Sequence, residues 1–121
     1  MNRYIYYVCE DSYCGEHGIN ACGLVLAGNE NIAYDVAIQE GEDLYNSYEG
    51  LESDLYQSII DMGYKEFSDD FDEAYNEAIR ASLLITIGRL KPDITMTDVE
   101  IEDELCKIGG EEFIDQYCDV L

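Results

Sequence analysis

The 121-residue chain has no tryptophan, one proline (Pro92), one histidine (His17) and only six lysines and arginines. Each shortage narrows what the protein can do. So few cations cannot neutralise a phosphate backbone, which argues against direct binding of DNA or RNA and, through the same repulsion, of an anionic membrane. No apolar run, Leu83–Ile87 included, approaches the about 20 residues that a helical bilayer span needs. The stretch "YIYYV" after Arg3 is too short for a signal-peptide core and lacks a small-residue cleavage site. Cysteine is present but odd in number, five in all. That count fits a reducing cytoplasm better than a secreted disulfide framework.

What is abundant is carboxylate. Twenty-eight Asp and Glu leave a net charge of −22, while apolar residues still make up 47% of the chain. The apolar content is ordinary for a globular domain and excludes an acidic disordered tail. A length of 121 residues suits a single domain spanning 1–121. Between Arg3 and Lys65 no basic residue occurs, and twelve acids do. A compact chain of this length is about 35 Å across. Duplex DNA carries one charge per roughly 1.7 Å, so that length of duplex carries about twenty. Solubility needs a net charge of only about 2–8, and the excess costs stability through self-repulsion. Halophilic adaptation would also give an acidic surface, but the chain keeps its large Ile, Leu and Tyr side chains.

The pattern along the chain predicts an α+β fold. Three antiparallel strands are expected at 3–10, 21–28 and 31–38, being rich in aromatic and β-branched residues. Gly28-Asn29-Glu30-Asn31 offers turn chemistry for a tight hairpin between the last two. Four helices are expected next, at 47–62, 69–88, 98–108 and 111–120, packed on one face of the sheet. Gly63 supplies a stop for the first and Ser68 an N-cap for the second. Thr97 with Glu100 forms a capping-box pattern for the third. Tyr4, Tyr6, Tyr75 and Tyr117 are expected in the core.

One loop gathers the chemistry-bearing residues. "CEDSYCGEHGINAC" holds Cys9, Cys14, His17 and Cys22, a donor set with which structural zinc would make a Cys3His tetrahedron. Four residues separate Cys9 from Cys14, where zinc knuckles place two between their paired cysteines. Cys9 and Cys22 also fall at strand ends, where a small buried hydrophobe needs no metal. No cofactor is therefore expected, with zinc on these four residues as the alternative. A Cys14 nucleophile beside His17 lacks an orienting partner, and the negative field opposes a thiolate.

Two resemblances follow from the residues. Three strands and a helix, with Asp11 ending the first strand and Glu49 or Glu52 near the first helix, look like the start of a ribonuclease-H-like domain. Asp69 or Asp70 and Asp115 would complete its metal-binding acids, and the family would imply magnesium-dependent phosphodiester hydrolysis. Basic residues to hold a substrate backbone are nearly absent, so no enzyme is the leading expectation.

In size, charge and tyrosine content the chain resembles the small DNA-mimic proteins that phages and plasmids deploy against restriction or CRISPR nucleases. That resemblance implies an inhibitor whose carboxylates stand in for phosphates in a basic cleft. The partner would be a basic nucleic-acid-binding protein in the cytoplasm of the infected or host bacterium. The expected contacts are Glu66, Asp69, Asp70, Asp72, Glu73 and Glu77, then Asp98, Glu100, Glu102, Asp103, Glu104, Glu111 and Glu112. Tyr45, Tyr48 and Tyr64 are the expected anchors. The runner-up is an acidic adaptor or immunity-type protein that binds one basic partner without imitating DNA.

Overall fold

The structure is a computed structural model. It describes residues 1–10, 20–47 and 49–121, and of Glu10 and residues 49–54 the backbone alone. The elements run β1 (Asn2–Glu10), β2 (Asn20–Ala27), α1 (Glu30–Ser47), α2 (Glu49–Asp61), α3 (Asp69–Ala81), β3 (Leu83–Leu90), α4 (Asp98–Ile108), α5 (Gly110–Tyr117) and β4 (Cys118–Val120). They make an antiparallel four-stranded sheet in the order β2-β1-β3-β4. The α+β class holds, with one more strand than expected.

β1 explains the layering. Its side chains alternate between the two faces of the sheet, and both faces are covered. Tyr4, Tyr6 and Val8 pack with Ala33 and Ala37 of α1 and with Ile87. Ile5 packs on the other face with Ile101 and Leu105 of α4 and with Phe113 and Ile114 of α5. Ile5 and Val8 are fully buried. A strand covered on both faces reads as a continuous apolar run, which is what "YIYYVC" is. Helices therefore flank the sheet on two sides, and the expectation of one covered face is corrected.

Residues 31–38 are helix, not strand. Asn29 does not turn a hairpin; its side-chain oxygen accepts from the backbone N–H groups of Asn31 (3.0 Å) and Ile32 (3.3 Å), which caps the start of α1. Ala33, Ala37, Gly41 and Tyr45 then form the buried stripe at four-residue spacing. Small residues let the helix lie close on the sheet. Leu83 rests against the Cα of Gly41, where any Cβ would collide with it.

The helix expected at 69–88 stops at Ala81, and 83–90 is the strand β3. The apolar spacing Phe71, Tyr75, Ile79 runs without a break into Leu83, so periodicity alone does not mark the change. β3 is a strand because it lies between β1 and β4, with Ile87, Gly88 and Leu90 all buried. The caps are as expected. Ser68 accepts from the N–H of Phe71 (3.1 Å). Thr97 and Glu100 exchange bonds, Glu100 N–H to the Thr97 hydroxyl (3.3 Å) and Thr97 N–H to the Glu100 carboxylate (3.2 Å).

Gly88 fixes how α5 and β4 close onto the sheet. A Cβ there would come within 2.7 Å of the Cys118 Cβ and 2.9 Å of an Ile114 methyl. The Cys118 atom sits next to the backbone and cannot swing aside without moving β4. Gly88→Ala is therefore expected to destabilise the fold by about 1–3 kcal/mol. A urea melt showing the gain that Gly-to-Ala gives at an uncrowded site would contradict this packing.

Candidate protein-binding surface

The most exposed apolar side chains lie next to an acidic helix. α2 ends at Gly63, whose φ of 97° only glycine adopts without strain. The chain then passes through Tyr64 (42% exposed) and Phe67 (92% exposed) into α3, and Met62 just before it is also open to solvent. Phe67 has a φ of 62°, the one non-glycine residue with positive φ among the described residues. That conformation costs a non-glycine residue about 1–2 kcal/mol. Its turn is pinned: the Ser68 hydroxyl donates to the Lys65 carbonyl (2.6 Å), and the Ser68 oxygen also caps α3. An aromatic ring with almost no contacts is thus held outward by a strained residue.

α3 has two opposed stripes. Phe71, Tyr75 and Ile79 face inward, with Tyr56 stacked edge-on against Phe71 (ring centres 4.9 Å apart). Two residues earlier in phase, Asp69, Glu73 and Glu77 lie roughly 200° around the helix, with Asp70 beside them, and all four are exposed. Asp72 and Glu66 are exposed too. Arg80, the only cation of α3, falls in phase at the C-terminal end of this stripe and pairs with Glu42 of α1 (3.4 Å). Glu66 is held by the Tyr56 hydroxyl, whose pKa is raised by burial and then by that carboxylate.

The remaining expected acids lie elsewhere. Asp98, Glu100, Glu102, Asp103 and Glu104 on α4, with Glu111 and Glu112 on α5, belong to the opposite layer, across the sheet from α3. Several already have internal work. Asp98 meets Arg3 at 3.5 Å. Glu100 closes the capping box, and its bonds to Thr97 hold its carboxyl below the usual range. Glu104 is half-buried. The structure thus splits the thirteen acids into two faces.

Tyr45 is corrected: it is 3% exposed, packed with Ile79, and offers no anchor. Tyr48 lies outside the described residues. Tyr64 is exposed as expected, while Met62 and Phe67, which sequence reasoning missed, are more so. The only sequence signal for Phe67 is a lone aromatic in the polar stretch "YKEFSDD".

Of the zinc set, Cys14 and His17 lie outside the described residues. Cys9 is buried, and the Cys22 thiolate would be stabilised by the Gly110 N–H, though burial pushes its pKa up overall. No group of three or more His, Cys, Asp or Glu suited to a metal occurs among the described residues. The Cys118 thiol is pushed up to about 11 by burial and by Asp119, so it stays protonated and unreactive at neutral pH. The nuclease constellation does not converge either. Asp69 and Asp70 sit on the α1 side of the sheet and Asp115 on the other, while Asp11 and the side chains of Glu49 and Glu52 lie outside the description. Among the described residues no helix is long and apolar enough to cross a membrane. No family model, curated protein or solved structure matches the chain.

Only two ion pairs occur among the described residues, and exposed pairs of this kind are worth about 0–1 kcal/mol. Repulsion among carboxylates therefore dominates the surface electrostatics. Melting temperature is expected to rise by about 5 °C or more between roughly 0.01 and 0.5 M NaCl, as screening shortens from about 30 Å to a few ångströms. A melting temperature that falls with salt would mean that attractive pairs dominate.

Proposed function

We propose that this protein is an acidic inhibitor that presents carboxylates in place of nucleic-acid phosphates to a Lys- and Arg-lined cleft. The partner is a basic DNA- or RNA-handling protein, a nuclease of a bacterial defence system such as a restriction nuclease or CRISPR effector, met in the cytoplasm. Mechanism is steric and electrostatic competition, with fast, salt-sensitive association.

The observation that carries this reading is the outer stripe of α3. Asp69, Asp70, Glu73 and Glu77 span eight helical positions, about 12 Å at 1.5 Å per residue. That is one charge per roughly 3–4 Å, close to the 3.4 Å per phosphate along one DNA strand. The one cation of α3, Arg80, stands at the C-terminal end of the stripe and is engaged by Glu42, so neutralisation of these four acids is left to a partner. Phe67 beside it supplies the kind of aromatic anchor on which interface affinity concentrates.

Phe67 also favours a second reading, the adaptor or immunity-type protein, because a strained aromatic reads the shape of one partner whereas phosphate mimicry needs charge alone. Affinity capture from a bacterial lysate at low salt, with and without competing duplex DNA, separates them. A mimic captures basic nucleic-acid-binding proteins, and duplex DNA or about 0.5 M salt releases them. An adaptor retains one basic partner when DNA is added. Neutral or acidic partners, indifferent to salt, would overturn both.

Two sets of substitutions locate the surface. Neutralising Asp69, Asp70, Glu73 and Glu77 to Asn or Gln is expected to weaken capture by about tenfold or more, equivalent to about 1.4 kcal/mol, while leaving the chain folded because it relieves repulsion. Phe67→Gly removes the backbone strain and buries nothing less, so it is expected to raise stability by about 1 kcal/mol. The same change should weaken partner binding. Unchanged capture in both variants would move the interface to α4 and α5.

A further inference from the structure

Three of the six lysines and arginines line one cleft, the β1–β3 register setting Arg3 and Arg89 on opposite faces of the sheet. Arg3 from β1, Arg89 at the end of β3 and Lys91 just beyond it line a cavity of about 400 Å³, with Pro92 and Ile94 as an apolar wall and Asp119 also present. With 28 carboxylates to neutralise, the arrangement that best lowers self-repulsion would disperse the cations among the acids. They are instead concentrated here, and two of them are unspent. Arg3 is fixed, donating to the carbonyl of Met96 at 2.6 Å and to that of Ile94 at 3.5 Å, and meeting Asp98 at 3.5 Å. Arg89 and Lys91 form no ion pair among the described residues. Asp119 lies directly across the ladder from Arg89 and still does not pair with it.

We propose that this cleft binds a compact phosphorylated small molecule, with Arg89 and Lys91 holding the phosphoryl oxygens. The field of the whole chain selects the class. A duplex or a membrane surface engages the protein over tens of ångströms and meets the −22 net charge. A small ligand inside the cleft lies beside Arg89 and Lys91, while acids beyond about 8 Å are screened at physiological salt. Arg offers a planar fork and Lys a point charge, the pair that phosphoryl groups commonly use. The cavity falls at the lower end of the range typical of small-molecule sites, about 300–1,000 Å³, and the Pro92 and Ile94 wall suits an uncharged ligand body. The site shares no residue with the α3 surface, so it stands or falls independently of the inhibitor reading.

Titration calorimetry of the full chain at physiological salt, with inorganic pyrophosphate, AMP and a short DNA duplex as separate probes, tests the assignment. Expected is saturable one-to-one binding of pyrophosphate or AMP and none of the duplex. The Arg89→Gln, Lys91→Gln double variant should bind at least about tenfold more weakly. Arg89 is exposed, and Lys91 bonds through its backbone alone, its N–H donating to the Tyr117 carbonyl and its carbonyl accepting from the Ile94 N–H, so an unchanged melt is the folding control. Lys65→Gln and Lys107→Gln, away from the cleft, should bind like the parent. AMP binding well above pyrophosphate would assign the apolar wall to the ligand body; pyrophosphate alone would assign the site to charge. Absence of saturable binding by either, equal binding in the double variant, or duplex binding as tight as that of the small probes would overturn the proposal.

Discussion

The middle of β1, buried on both faces of the sheet, leaves no place for charge, and that constraint organises the rest of the molecule. The four strands contain two acids, Glu10 and Asp119, each near a strand end. Almost all the carboxylate is therefore carried by helices and connections. A buried unpaired carboxylate would cost several kcal/mol or neutralise itself, so the alternation of Tyr4, Ile5, Tyr6 and Val8 is paid for by acidic outer layers. The core and the field have one origin.

That origin explains what was legible in the sequence. β1 and β2 were readable because β-branched and aromatic runs have no competing helical period. The N-caps at Ser68 and Thr97 were readable because capping is local chemistry, settled within three residues. The errors fall where a local signal has two tertiary meanings. Asn29 suits a turn and an N-cap equally, and the choice between them depends on whether Ala33 and Ala37 have a sheet to lie on. Leu83–Leu90 is covered on both sides except at Leu84 and Arg89, so its apolar residues match a buried helix as well as a strand. In each case the contact that decides is made with β1, tens of residues away.

The functional surfaces were legible in part and for similar reasons. Acid content is a property of composition, so the charge was plain. Its division between two layers was not, because it depends on which face of the sheet each helix takes. Phe67 escaped because its exposure comes from a positive φ, and no sequence pattern around it demands one. Tyr45 was misplaced for the converse reason: it continues the Ala33, Ala37, Gly41 stripe, which becomes visible only once 30–47 is known to be one helix. The cleft was hidden because Arg3 is 86 residues from Arg89, and the antiparallel pairing of β1 with β3 makes them neighbours at one end of the sheet, on opposite faces.

Division of the acids between two faces also constrains the partner. A groove that closes around one helix can engage α3 or the α4–α5 layer, and the sheet stands between them. The two are unequal in what they have free to offer. On α4, Asp98 is tied to Arg3 and Glu100 to the helix cap, and Glu104 is half-buried. On α3 the outer stripe serves no comparable internal purpose beyond the favourable placement of Asp69 and Asp70 at a helix start, and the cation at its far end, Arg80, is engaged by Glu42 of α1. The strained, outward Phe67 adjoins that same stripe. On the proposed inhibitor reading, strain kept where it stabilises nothing internal suits a residue placed for an external contact, and that reading puts the weight of recognition on the α3 side of the sheet.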